Sequence, residues 1–302
     1  MFQSILDDVK REFRYGNMVT RLIILNTAIF ILINIAKLIL KASDPNNPIP
    51  FLNFLHLFCM PKDLWDLVTH PWAIITSGFT HESFSHILWN MLAFYWFGRI
   101  VGDLLGNHRI LPLYILGVIV GNIMFFIMAN ISPYAIGSYA LGASAAVMAM
   151  VACAAFVAPD YIFNVLLIGP IKLKYIALLL IFLDVIAIAD NYNAGGSFAH
   201  LGGAGLGWLY AAQLRKGIDL GKPISLLINF VSNLFSKNPK KNFTYQKGEK
   251  IYTKGDKADF GAASKGSRKS DSSHGDKEGG SEQDKLDLIL DKIKHSGYER
   301  MK

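Results

Sequence analysis

Apolar residues run along this chain in long stretches between about residue 22 and residue 214, and thin out on either side. Crossing a lipid bilayer takes about 20 apolar residues in a helix. Six stretches approach that length, some with polar interruptions: 22–40, 84–105, 110–129, 141–158, 175–189 and 198–214. The last two are short, and the turn-rich NYNAGGS separates them. The pattern predicts an all-α, polytopic membrane protein, with a bundle of six transmembrane helices over 21–214. Ahead of the bundle, Phe2, Ile5, Leu6, Val9 and Phe13 recur at helical spacing. They predict an amphipathic segment over 1–20, lying on the membrane surface. The first connection, 41–83, is long and rich in Pro, Trp and Phe, which reads as a partly embedded loop.

After Arg215 comes PISLLINFVSNLF, too short to span comfortably and carrying Asn229, Ser232 and Asn233. It predicts an interfacial amphipathic helix over 215–236, with a seventh span as the alternative. Residues 237–283 are rich in Lys, Gly, Ser and Asp, the composition of a disordered, charged linker. Leu286, Ile289, Leu290 and Ile293 then predict a short amphipathic helix within 284–302.

Charge supplies the topology. Of 302 residues 52% are hydrophobic, and the net charge of +7 lies largely outside the apolar runs. Lys10, Arg11, Arg14 and Arg21 precede the first run, and Arg99 and Arg109 flank the second connection. Lys172 and Lys174 flank the fourth, and Arg215 and Lys216 follow the sixth run. The third and fifth connections carry no Lys or Arg. Basic residues stay on the cytoplasmic side, so both termini are predicted cytoplasmic. The expected setting is an integral protein of a bacterial inner (plasma) membrane. The first sixteen residues include Asp7, Asp8 and Glu12 and lack a continuous apolar core, unlike a signal peptide. The basic tail reads as a solvated or membrane-surface segment, and nucleic acid is not expected as a partner. Cys59 and Cys153 do not make a disulfide framework, and no CxxC or Cys/His cluster suggests zinc.

A polar group in hydrocarbon needs a partner or a purpose. Three places stand out. In HESFSHILWNML, His86 and Asn90 are four apart and share a helix face. In LGASAAVMAM, Ser144 stands two residues after Gly142. In FAHLGGAGLGWLYA, His200 opens the sixth run. With both termini inside, runs two, four and six all begin at the outer face, so these four side chains lie at one depth. Singly, each has a plain explanation in helix packing. Together they make a constellation for acyl transfer: Ser144 as nucleophile and His200 as base, with Asn90 and His86 as oxyanion donors beside the backbone. Ala199, Gly203 and Gly207 form a ridge at four-residue steps, which would let run six press against run four.

At these residues the sequence resembles the rhomboid intramembrane serine proteases. His86-Ile-Leu-Trp-Asn90 is similar to the family's His-x-x-x-Asn pattern. Gly142-Ala143-Ser144-Ala145 is similar to its Gly-x-Ser-Gly motif, and Ala199-His200-Leu-Gly-Gly203 with Gly207 to its sixth-span motif. The resemblance covers about 21–214. It implies a Ser144–His200 dyad with no acidic third member. It also implies an oxyanion hole from His86, Asn90 and the backbone of Ser144 and Ala143, with Gly142 giving room. It implies single-span transmembrane proteins as substrates, cut near the outer face, and no cofactor. Ala145 departs from the motif's second glycine. Asp184, inside the fifth run, has three readings: orienting His200, bonding a neighbouring helix, or facing a watery cavity. Two other functions remain open on the residues alone: a rhomboid-like protein that binds membrane clients without cutting them, and a six-span transporter. Oligomeric state is not legible.

Overall fold

A 14-residue helix, α1 (Phe2–Tyr15), leads to Asn17, whose side chain accepts the Thr20 amide at 2.9 Å and starts α2 (Met18–Lys41). That bond satisfies one of the amides a helix start leaves unpaired. The computed structural model describes residues 2–42, 46–165 and 169–235, all within one unit, Met1–Lys241. The expected linker over 237–283 and helix over 284–302 lie outside the described residues.

The long first connection is a built structure. It holds α3 (Ile49–His56), a two-residue strand β1 (Met60–Pro61), α4 (Leu64–Thr69), α5 (Ala73–Thr76) and a 3-10 turn over Ser77–Phe79. The strand pairs antiparallel with β2 (Tyr139–Ala140), matching Met60 to Ala140 and Pro61 to Tyr139. Side chains tie the loop down. Trp72 Nε1–H donates to the Leu57 carbonyl at 2.7 Å, and Thr76 Oγ1–H to the Phe58 carbonyl at 3.0 Å.

Ser83 caps α6 (Phe84–Leu105), accepting the His86 amide at 3.3 Å. Helices α7 (Ile110–Ile131) and α8 (Ser144–Val157) follow. An antiparallel hairpin, β3 (Ile162–Val165) with β4 (Gly169–Lys172), leads to α9 (Leu173–Ala189). Then come α10 (Ala194–Arg215) and α11 (Lys222–Phe235). The hairpin falls in the apolar stretch YIFNVLLIGPIK, where the sequence pattern gave no strands.

At the centre lies α8. Every residue from 145 to 155 is buried, and α6, α7, α9 and α10 all pack on it. Small residues bring the backbones together. A Cβ on Gly203 would lie 2.1 Å from the Ala145 carbonyl oxygen, and one on Gly207 2.1 Å from that of Ala149. Helix α7 has its own pair: Cβ atoms on Gly117 and Gly121 would meet Ala146 Cα at 2.8 Å and Ala145 Cβ at 2.3 Å. Tyr114, fully buried on α7, donates to the Gly78 carbonyl at 2.7 Å and accepts from Asn26 Nδ2 of α2 at 3.2 Å.

Each of the six apolar stretches carries a helix, but they differ in length and character. Among the described residues two, Met18–Lys41 and Asn107–Ile131, are long and apolar enough to cross a membrane by themselves. The expectation of six spanning helices is met only that far. With 14 residues and about 1.5 Å of rise per residue, α8 is about 21 Å long, short of a hydrocarbon core of about 30 Å. The 141–158 run had counted loop residues at both ends as helix. Arg99 and Asp103 interrupt α6, and glycines dilute α10.

Candidate functional site

Gly142 sets up the start of α8. Its φ of +116° lies in the left-handed region, where a side chain is strained. Its amide donates to the Ser77 carbonyl at 2.8 Å, and a Cβ there would lie 2.6 Å from His86 Nε2. Glycine therefore allows the turn and also admits the His86 ring beside it. Next, the Ala143 amide donates to His81 Nε2 at 3.3 Å. His81 is fully buried, and burial first, then the nearby His86, holds its pKa down at about 3. The imidazole is thus neutral at ordinary pH, as an acceptor nitrogen must be.

Ser144 is the first residue of α8, so its hydroxyl stands at a helix N-terminus, where developing negative charge is favoured. His86 is the third residue of α6, and His200 the seventh of α10. These three helix starts, with Asn90 one turn further along α6, surround one cavity of about 650 Å³. Glu82, Tyr139 and residues 193–196 also line it. Asn90 Nδ2 donates one N–H to the His86 carbonyl at 2.8 Å, leaving its second N–H for the cavity. No hydrogen bond joins Ser144 to His200 among the described residues. Catalytic bonds are often long in an empty site and tighten with substrate.

Ser144, His200, His86 and Asn90 are therefore brought together. Gly142 and Ala143 are not among the residues that line the cavity. Ala143 is fully buried with its amide on His81, so that amide is engaged where the oxyanion reading had it as a donor to substrate. The Ser144 amide stands at the helix start. Gly203 and Gly207 sit in the α8–α10 contact, as a packing ridge requires, while the buried Ala199 turns its carbonyl toward Gly121 of α7. The methyl of Ala145 points to the space left by Gly121, and Ala145 does not line the cavity.

Two features escaped the sequence reading. Gly117 and Gly121 repeat the four-residue spacing of the α10 ridge within LGVIVGN, a signal present but unused. Asn122, beside them, donates to the Ile74 carbonyl at 2.8 Å and to Ser77 Oγ at 2.7 Å, anchoring the loop that receives Gly142. Of the three readings of Asp184, the structure selects contact with His200: Nδ1 and Asp184 Oδ1 are 2.8 Å apart.

The fold and the cleft define a class: a mostly helical protein of apolar surface, with its polar chemistry gathered where three helices begin. A family model of the Rhomboid domain matches residues 68–217. "RHOMBOID-like protein 12, mitochondrial" of Arabidopsis thaliana is 33% identical over 158 residues, 48% of this chain and 47% of that protein. "Rhomboid protein 1, mitochondrial" of Saccharomyces cerevisiae (strain ATCC 204508 / S288c) is 28% identical over 159 residues, 51% of this chain and 45% of that protein. The chain belongs to the rhomboid family, and with it to the integral membrane proteins. The aligned part spans about half the length of these two relatives. Both relatives are mitochondrial by name, and the expectation of a bacterial inner membrane finds no support in them.

Proposed function

We propose that this protein is an intramembrane serine endopeptidase that cuts single-span transmembrane proteins near one membrane face. One observation carries the reading: Ser144, His200, His86 and Asn90 line a single cavity at the N-terminal ends of three helices. Ser144 Oγ attacks the substrate carbonyl carbon while His200 Nε2 takes its proton. The tetrahedral oxygen receives hydrogen bonds from the Ser144 amide, the free Asn90 N–H and His86. The C–N bond then breaks, and His200 returns the proton to the leaving amine. Water, activated by the same imidazole, releases the acyl group.

Six helices, α2 and α6 to α10, form the proposed membrane bundle. The shorter ones are completed by the polar cavity and the loops at their ends. Lipid accounts for a surface that water would not favour: Leu32, Leu38, Ile39, Leu178, Leu179 and Phe182 are all exposed. Helices α1 and α11 lie at the interface, and both termini lie on the side of the basic connections. The relatives' names favour a mitochondrial membrane as the setting. The client-binding alternative rested on Ala145, whose methyl is turned toward α7 and away from the cavity.

Cleavage of a single-span substrate by the full-length protein in liposomes tests the reading, with fluorophosphonate labelling alongside. Wild type is expected to cut and to label. Ser144→Ala and His200→Ala are expected to lose at least about 10³-fold in kcat. Undiminished cutting by Ser144→Ala would sink the proposal.

A further inference from the structure

Asp184 is the twelfth of the 17 residues of α9, far from either end of a helix that buries only Leu173, Ala177 and Ile188. Most of its neighbours on that helix are exposed apolar residues: Leu178, Leu179, Phe182, Leu183, Val185 and Ile186. A carboxylate in this position is costly unless a partner holds it. Its partner is His200. The Nδ1–Oδ1 distance is 2.8 Å, and the side chains are only 12% (Asp184) and 22% (His200) exposed. The other titratable groups lining the cavity are Glu82 just before α6, His86 in its first turn and Tyr139 of β2; α8 contributes none.

We propose that Asp184 is a positioning residue, the third member of a Ser144–His200–Asp184 relay, so that this chain works as a triad where the family resemblance implied a dyad. The inference rests on the protease reading above. A histidine has two ring nitrogens, and the bond made by one decides what the other can do. By accepting from Nδ1–H, the Asp184 carboxylate fixes that tautomer and leaves the Nε2 lone pair for the Ser144 proton. It also fixes the ring plane, because a 2.8 Å bond between α9 and α10 leaves the imidazole little freedom about χ2. When Nε2 takes the serine proton, the ring becomes a cation against the carboxylate, and the negative charge compensates it. The Nδ1 proton stays on His200 throughout, and Asp184 is not protonated. The arrangement also makes α9 part of the site: it reaches the chemistry through this one polar contact.

The test uses the full-length protein in liposomes. Asp184→Asn keeps the shape and removes the charge. The expected result is a fall in kcat of about 10- to 1,000-fold with KM changed less than about threefold, and a parallel fall in fluorophosphonate labelling. Asp184→Glu restores part of the rate. Nitrogen NMR of ¹⁵N-histidine-labelled wild type, with His200 assigned by loss of its signal in His200→Gln, is expected to show the Nδ1–H tautomer. The NMR measurement stands even where a variant fails to fold. Wild-type kcat per folded molecule in Asp184→Asn, or an Nε2–H tautomer in wild type, overturns the proposal and leaves the protease reading intact. A wild type that neither cuts nor labels overturns the protease reading, and the catalytic role of Asp184 with it.

Discussion

Ala145 is the residue at which this chain leaves the Gly-x-Ser-Gly pattern, and its surroundings explain why a methyl is accommodated. Helix α7 supplies Gly121 opposite it, so close that two Cβ atoms would be 2.3 Å apart. One position of the pair must be glycine, and here it is the α7 position. Because the methyl lies in the helix contact, Ala145→Gly is expected to change the cleavage rate by less than about twofold, and to lower stability by about 1 kcal/mol through helix propensity. Rates on a model substrate with a thermal melt in detergent would decide this. A rise in kcat above tenfold would show that the methyl does narrow the site.

At the scale of elements, the site depends on how closely α10 approaches α8. Gly203 and Gly207 face carbonyl oxygens of α8, whereas Gly205, between them on the same helix, has nothing within 4 Å of its Cβ position. The contrast separates propensity from packing. Gly205→Ala is expected to be neutral or to stabilise by up to about 1 kcal/mol. Gly203→Val must push the helices apart or distort them, at about 1–3 kcal/mol or more. It moves His200, one turn away, relative to Ser144, and a displacement of about 1 Å costs about 10²-fold in rate. Equal melting temperatures and rates for Gly203→Val and wild type would contradict this packing.

The α10 ridge was legible because its spacing is local to one helix. So were Ser144, His200, His86 and Asn90, which share a depth once the chain is threaded by its basic connections. What was not legible depends on how helices turn against each other. A single sequence does not fix the phase of α9 against α10, so the bond from His200 to Asp184 stayed one reading among three. Nor does apolar run length separate helix from flanking loop, which is why 141–158 looked long enough to span while α8 holds 14 residues. The loop anchors, such as Trp72 to Leu57, join residues 15 apart without any periodicity.

Among the described residues, buried His81 and the Asp219 cluster lie at separate places in the molecule, and acid should act on them in sequence. Beside the cavity, His81 is held neutral down to about pH 3 by burial, while an unfolded chain would take up its proton near 6.5. Between those values the unfolded state binds more protons, so stability falls as pH drops through that window. His56 and His108, also lowered chiefly by burial, act with the same sign. At the second place Asp219 accepts from Arg109 Nε–H and Tyr210 O–H, each at 3.0 Å, and from the Gly221 amide at 2.9 Å. Partial burial works to raise its pKa, but these bonds and the nearby guanidinium outweigh it and hold the carboxyl below its usual 3.8. Its contribution is present above about 3.8 and is lost only as pH falls below that. The melting temperature of purified protein in detergent is therefore expected to fall from about pH 6.5 downward, with a second decline below about pH 4. His81→Gln keeps an acceptor for the Ala143 amide but takes up no proton, so it should flatten the upper decline; Asp219→Asn should lower stability at neutral pH and flatten the lower one. An upper decline of unchanged slope in His81→Gln would mean that the buried imidazole is not what makes the fold acid-sensitive.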